Sequence, residues 1–268
     1  MSTTLSAWLF RMGLGLGLLL LAGLVWIYLR QERLIFFPEA LPAEHHYDFG
    51  ADVKELRLPV AGGAELSALH LKLDEPKGLV FYLHGNGGNL QGWFANADFY
   101  RRAGYDLFML DYRGYGKSGG RIESEAQLRA DVRTAWDLVS PQYAGKRRII
   151  IGRSLGTALA AGLAAEVRPE QLILVSPFTR MVELMRLHFP LLPTPLLRYP
   201  LDTAGSLQAW QGPLLLIHGD RDELIPPAQS ESLQAGQPQS RLVRIPGAGH
   251  NDLQAFPRYL EAVREVLP

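Results

Sequence analysis

The sequence contains no cysteine. That absence excludes disulfide bridges, thiolate metal sites, a cysteine nucleophile and a lipoprotein-type lipid anchor. It leaves the compartment open, because a cysteine-free chain persists in either redox environment. Net charge is absent too: 27 Lys and Arg balance 27 Asp and Glu, which gives no electrostatic reason to bind nucleic acid. The seven histidines include no pair at zinc-ligand spacing, so neither a metal nor a cofactor is expected. What remains, 268 residues that are 47% hydrophobic and 20% charged, suits one well-buried domain with a short appendage.

The appendage is residues 1–30. Residues 12–29, MGLGLGLLLLAGLVWIYL, form an uncharged run of 18 residues between Arg11 and Arg30. That length is enough to cross a bilayer, and Trp26 and Tyr28 stand where an interfacial aromatic belt belongs. A cleaved signal peptide needs a shorter apolar run followed by a small-x-small site. Leu24-Val25-Trp26-Ile27 stands there instead, so the expectation is an uncleaved single-pass membrane anchor. Arg11 on one side and Arg30 and Arg33 on the other leave the orientation undetermined. Removal of residues 1–29 is expected to leave a soluble, active domain. Residues 31–52 read as a connector carrying Phe36, Phe37, Pro38 and Pro42.

From residue 53 the pattern is strand-like. Alternating segments about Gly62-Gly63 predict an antiparallel hairpin. The continuous apolar run at 79–83 and the stretches at 106–110 and 149–151 predict buried strands, and 172–175, 214–218 and 242–245 read as further strands. Helical stretches separate them, with Ser124 placed as a cap and Pro257 at a first helical turn. Alternating strands and helices over 53–268 mean an α/β fold, a mostly parallel sheet with helices on both faces. Residues 176–212 break the alternation. They are too long for a crossover, and proline interrupts their apolar stretch from Phe189 to Leu197. A short cap over the strand tips is expected, with Phe189, Leu191, Leu192, Leu196 and Leu197 lining a pocket.

Between the strand at 149–151 and the helix after it lies Gly152-Arg153-Ser154-Leu155-Gly156. With 27 glycines in the chain, Gly-x-Ser-x-Gly arises by chance in roughly one such chain in seven. Its position on a strand-to-helix turn is what gives it weight. A serine hydroxyl is a poor nucleophile unless a base within hydrogen-bond reach takes its proton, and that base needs a carboxylate to orient it. Downstream, His188 falls in the insertion and His218 ends a strand. His250 sits in a loop after the last strand and before the last helix, where a base belongs. For the acid, Gly219-Asp220-Arg221-Asp222-Glu223 follows the preceding strand, and position alone does not separate Asp220 from Asp222.

His84-Gly85-Asn86-Gly87-Gly88-Asn89, Asp111-Tyr112-Arg113-Gly114-Tyr115-Gly116-Lys117-Ser118, the serine turn, Gly219 to Pro226 and Gly249-His250-Asn251-Asp252-Leu253 follow one another in this order. Together they resemble the α/β-hydrolase superfamily, and most closely its membrane-anchored serine hydrolases related to Bem46 and the bacterial YfhR-like proteins. The resemblance spans roughly residues 30–267. It implies Ser154 as nucleophile, His250 as base and the second aspartate, Asp222, as acid. It also implies an oxyanion hole formed by the backbone N–H groups of Leu155 and Asn86, with Gly87 as the alternative to Asn86. His84 and Arg113 are expected to be structural. Thr157 replaces the further glycine usual after the elbow, a change of packing more than of chemistry. The implied activity is hydrolysis of a carboxylic ester or thioester of a lipophilic, lipid-like acyl substrate. Amide cleavage ranks lower, because no substrate-selecting domain is visible. A non-catalytic membrane-tethered scaffold on the same fold is the remaining reading, and retention of Ser154, Asp222 and His250 together speaks against it.

Overall fold

The computed structural model describes residues 2–267. Among them eight strands form one sheet: β1 (Val53–Val60), β2 (Ala64–Leu71), β3 (Gly78–Leu83), β4 (Asp106–Leu110), β5 (Arg147–Arg153), β6 (Gln171–Val175), β7 (Leu214–Gly219) and β8 (Arg241–Ile245). Their spatial order is β1-β2-β4-β3-β5-β6-β7-β8. β2 pairs antiparallel with β1 and with β4, and every other pairing is parallel. The β1–β2 hairpin closes with Val60 opposite Ala64. Gly62 and Gly63 take φ of 77° and 74° in its turn, angles that cost glycine little.

The continuous apolar runs follow from burial on both faces of the sheet. Along β3, Leu79, Phe81 and Leu83 face one layer of core and Val80 and Tyr82 the other. The first layer is covered by helices Glu125–Val139 and Leu155–Val167, the second by Ala97–Ala103 and Pro257–Arg264. Ser124 caps the first of these helices, its hydroxyl accepting the Gln127 N–H at 3.1 Å. Strand order positions the site. From β3 the chain goes outward to β4, then returns to the other side of β3 as β5. The crevice at the carboxyl ends of β3 and β5 is therefore the topological switch point, where open α/β sheets bind ligands.

The insertion after β6 divides into two parts. Helix Met181–His188 and the tight turn Thr194–Leu196 overhang the strand tips. Beyond them Tyr199, Leu201, Leu207 and Trp210 are buried in the main core, so only the first half is a cap. Prolines 190, 193, 195 and 200 separate the pieces, because proline cannot donate within a helix and restricts the residue before it.

At the N-terminus a helix runs Ser2–Leu29, and its apolar stretch is longer than the uncharged run. Leu5–Leu29, 25 residues, is long and apolar enough to cross a membrane. Arg11 does not end the helix, because arginine is a good helix former and Leu5, Trp8, Leu9 and Phe10 continue the apolar surface. The following segment is stitched to the domain. Gln31 donates to the Leu196 carbonyl at 2.6 Å and accepts the Arg198 N–H at 2.7 Å. Glu32 pairs with Arg198 at 2.8 Å and accepts from the Tyr199 hydroxyl at 2.7 Å. Phe36 is buried edge-on against Tyr199. Parallel bridges join Pro38 to Gly88 and Ala40 to Gly116.

Candidate active site

Ser154 stands at the end of β5 with φ 51° and ψ −117°, a conformation that L-residues adopt only when their surroundings enforce it. The flanking glycines are required by contact. A Cβ on Gly152 would lie 2.5 Å from the Gly156 carbonyl oxygen, and one on Gly156 would lie 2.2 Å from the Leu83 oxygen. The turn is thus pinned between β3 and helix Leu155–Val167. The Ser154 N–H is held by the Val175 carbonyl at 2.9 Å. Thr157 donates its hydroxyl to the Ser154 carbonyl at 2.5 Å, so the residue in place of glycine braces the same turn.

The loops after β7 and β8 bring two more of the expected residues to this serine. His250 Nδ1 lies 2.7 Å from Asp222 Oδ2, and His250 Nε2 lies 3.0 Å from Ser154 Oγ. A carboxylate only accepts, so Nδ1 carries the proton and Nε2 is free to accept from the serine hydroxyl. Asp222 is almost fully buried. Burial alone would raise its carboxyl, yet hydrogen bonds from His218, His250 and the Ile225 N–H outweigh it and hold the group well below the usual carboxylate range. Asp222, not Asp220, reaches His250. Asp220 is exposed and accepts the Gly247 N–H at 2.7 Å, tying the two loops together.

Two side chains that sequence reasoning passed over orient this set. His218, at the end of β7, donates through Nε2 to the Ile225 carbonyl at 2.7 Å and lies 3.3 Å from Asp222 Oδ2. Its Nδ1 meets the Ser230 hydroxyl at 2.6 Å. Arg153, the variable residue of the serine motif, is buried and donates to the His250 carbonyl, while its Nε and Nη1 have no hydrogen-bond partner among the described residues. The available signal was position: His218 precedes Asp222 by one helical-turn spacing, and Arg153 adjoins the serine.

On the other side of Ser154 is the loop after β3. Asn86 and Leu155 both line the cavity that contains Ser154. Neither backbone N–H has an acceptor among the described residues, and Leu155 opens a helix, whose first N–H groups are unpaired by geometry. The Asn86 side chain is fully engaged. Its oxygen accepts from the Phe37 N–H at 3.0 Å and the Tyr115 hydroxyl at 2.8 Å, and its amide donates to the Ile35 carbonyl. Gly87 and Gly88, at φ 78° and 73°, let the loop turn. Beneath it His84 is wholly buried and donates to the Gly85 carbonyl at 2.7 Å, and burial pushes its pKa down to about 4. A neutral, enclosed imidazole is a support for the loop. Arg113 pairs with buried Asp131 at 2.6 Å and with the Ala61 carbonyl at 2.7 Å, bracing the hairpin against helix Glu125–Val139.

The cavity has a volume of about 760 Å³, inside the roughly 300–1,000 Å³ range of ligand pockets. The cap contributes Phe189, Leu192, Leu196 and Leu197, as expected. Leu191 does not line it. That side chain is 95% exposed, turned outward by the proline-broken chain on either side. The opposite wall is Trp26, Ile27, Leu34, Ile35 and Phe37, so the end of the N-terminal helix is part of the pocket wall. Among the described residues no aspartate or glutamate lines the cavity. Among the described residues no group of three or more His, Asp or Glu is placed to hold a metal ion.

A family profile described as serine aminopeptidase, S33, matches residues 74–201, and one described as alpha/beta hydrolase fold matches residues 196–254. The chain is 33% identical to the uncharacterized protein Rv2307c of Mycobacterium tuberculosis, covering 91% of this chain and 89% of that one. It is 28% identical to protein bem46 of Schizosaccharomyces pombe, over 92% of this chain and 89% of the relative. A Saccharomyces cerevisiae relative, 29% identical over 90% of each chain, is named a membrane protein. In structure it is similar to an esterase of Pyrococcus furiosus, with TM-score 0.69 and 20% identity over 87% of this chain and 97% of that one. Est1E of Butyrivibrio proteoclasticus, solved with ferulic acid bound, superposes with TM-score 0.65 and 21% identity over 78% of this chain and 95% of the other. With the elbow, the switch-point crevice and these matches together, the chain belongs to the α/β-hydrolase superfamily, alongside the Bem46 proteins.

Proposed function

We propose that the protein is a membrane-anchored serine hydrolase that cleaves carboxylic esters or thioesters of lipophilic acyl groups through an acyl-enzyme. The observation that carries this reading is the relay from Asp222 through His250 to Ser154 at the floor of an apolar cavity. In the proposed reaction Ser154 Oγ attacks the acyl carbonyl carbon as His250 Nε2 takes its proton. The Asn86 and Leu155 N–H groups receive the developing oxyanion, each such donor being worth about 2.7–4 kcal/mol. The alcohol or thiol then leaves with the proton from His250. Water repeats the sequence, releasing the carboxylic acid and restoring the serine.

An ester or thioester is favoured over a peptide by the cavity lining. An aminopeptidase must hold a substrate ammonium group, and among the described residues no carboxylate lines this pocket. Apolar walls suit an acyl chain instead. The N-terminal helix, by length and apolarity, anchors the enzyme to the membrane as a single span. The test is fluorophosphonate labelling and a panel of esters and thioesters of graded chain length, on wild type and Ser154→Ala. Covalent labelling and turnover lost together in the variant are expected. Labelling that persists in Ser154→Ala, or none in folded wild type, would remove the serine-hydrolase reading.

A further inference from the structure

The cavity and the membrane helix share residues. Leu5–Leu29 at 1.5 Å per residue is about 38 Å long, against about 30 Å for a bilayer hydrocarbon core. The span therefore ends at the interface, and its last two turns hold Trp26 and Ile27, which line the cavity beside Ser154. The position is fixed, not tethered. Immediately after the span, Gln31 and Glu32 are clamped to residues 196–199, where the cap joins the main core, and the Arg198 guanidinium lies over the Tyr28 ring at 5.6 Å. A domain held this way presents one surface to the bilayer.

That surface is apolar and uncovered. Leu34, Phe37, Leu187, Phe189, Leu191 and Leu224 are all exposed. Four of them also line the cavity, whereas Leu187 and Leu191 do not line it and only adjoin the lining residues His188, Phe189 and Leu192 in the chain. A cluster of large exposed side chains around one opening marks an interaction face. Where the adjoining helix already spans a membrane, the occupant is the lipid interface itself.

We infer that the cap rim lies in the bilayer surface and that the cavity takes its acyl chain directly from the membrane, so the substrate is a bilayer-resident long-chain acyl ester. The placement stands on the anchor and rim alone; the substrate class rests on the hydrolase reading above. The chain would slide laterally between Trp26 and Ile27 on the anchor side and Phe189 and Leu192 on the cap side, with its carbonyl arriving at Ser154. An acyl chain on this route never crosses water, whereas a water-soluble short ester gains nothing from the rim.

Two measurements on the full chain test this. The lack of cysteine makes a single introduced thiol a unique label. Bimane on Leu191→Cys in phosphatidylcholine vesicles is expected to be quenched by nitroxide lipids. The same label on Leu138→Cys, exposed on helix Glu125–Val139, is expected to remain bright. Absence of quenching at 191, whether the rim faces water or a soluble partner, would overturn the placement. In the second measurement the Leu187→Glu/Leu191→Glu double variant is assayed on 4-methylumbelliferyl palmitate dissolved in the vesicles and on the acetate ester in water. Vesicle turnover is expected to fall by at least about tenfold, with acetate turnover within about twofold of wild type. Unchanged vesicle turnover would overturn the membrane route. Quenching at 191 in a wild-type protein that hydrolyses neither ester and takes no fluorophosphonate would uphold the placement and sink the hydrolase reading instead.

Discussion

Asp222→Asn replaces one carboxylate oxygen with an amide and leaves the shape of the site nearly intact. The amide oxygen can still accept the Ile225 and Leu224 N–H groups, which now reach Asp222 Oδ1 at 2.8 and 3.1 Å. The amide nitrogen then occupies the place of Oδ2, 2.7 Å from His250 Nδ1 and 3.3 Å from His218 Nε2. A donor there cannot accept from Nδ1–H, so the favoured His250 tautomer moves its proton to Nε2. That nitrogen then points a proton at Ser154 Oγ and is no longer a base. In serine proteases the equivalent change costs about 10⁴-fold in kcat, or about 5.4 kcal/mol at 1.36 kcal/mol per decade. A similar loss is expected here, with KM for 4-nitrophenyl butyrate little changed. The folded Asp222 carboxyl lies below its unfolded value of about 3.9. Its ionised form therefore contributes stability above that pH, which is lost as the pH falls through the lower folded value. The variant should accordingly melt at a lower temperature near pH 7 and differ less in strong acid. Asp220→Asn keeps an acceptor for Gly247 and should leave kcat near wild type. Circular dichroism and thermal melts establish folding, and initial rates give kcat and KM. Activity of folded Asp222→Asn within about 100-fold of wild type, or equal damage from Asp220→Asn, would refute the assignment of the acid.

Other outcomes follow from neighbouring residues. Gly156→Ala drives a Cβ to 2.2 Å from the Leu83 carbonyl oxygen; it should destabilise the protein by about 1–3 kcal/mol or more and slow fluorophosphonate labelling, both absent if the turn is slack. Leu192→Ala/Leu196→Ala should shift the preferred acyl length, since each well-fitted methylene contributes about 0.8 kcal/mol and so up to about fourfold in kcat/KM; a flat profile in both enzymes would mean the cap does not bind the chain. Asp111 is buried with one oxygen lacking a hydrogen-bond partner among the described residues, and burial pushes it up to about 7 against about 3.9 unfolded. Its folded value is the higher one, so stability is full below about pH 4 and falls as the pH rises towards 7. Asp111→Asn should therefore raise stability at pH 8 by up to about 4 kcal/mol and change it little at pH 4, as equilibrium urea unfolding at the two pH values would show.

The amino-acid order by itself carried the sheet and the elbow, because both are written in local pattern. Runs such as 79–83 and 149–151 are apolar at every position because each strand is buried on both faces, and glycines at 152 and 156 are the only residues a turn that tight admits. The motif order likewise pointed to the histidine loop. Position alone did not separate Asp220 from Asp222, since both lie on one loop and only the path of that loop decides which carboxylate faces His250. His218 and Arg153 looked like a strand end and a variable motif position. The bond from Arg153 to the His250 carbonyl joins segments far apart in the chain, and the bond from His218 to Ile225 depends on how the loop after β7 folds back on its strand. The insertion read as one apolar unit, yet backbone direction turned Leu191 out and sent Tyr199 to Trp210 into the core. The anchor shows the division most clearly. Hydropathy is a property of a segment and is legible in its composition, so a run long and apolar enough to cross a membrane was visible in residues 12–29. That Trp26 and Ile27 complete the wall of the cavity holding Ser154 depends on the clamp at Gln31 and Glu32, and such contacts between distant segments exist only once the chain has folded.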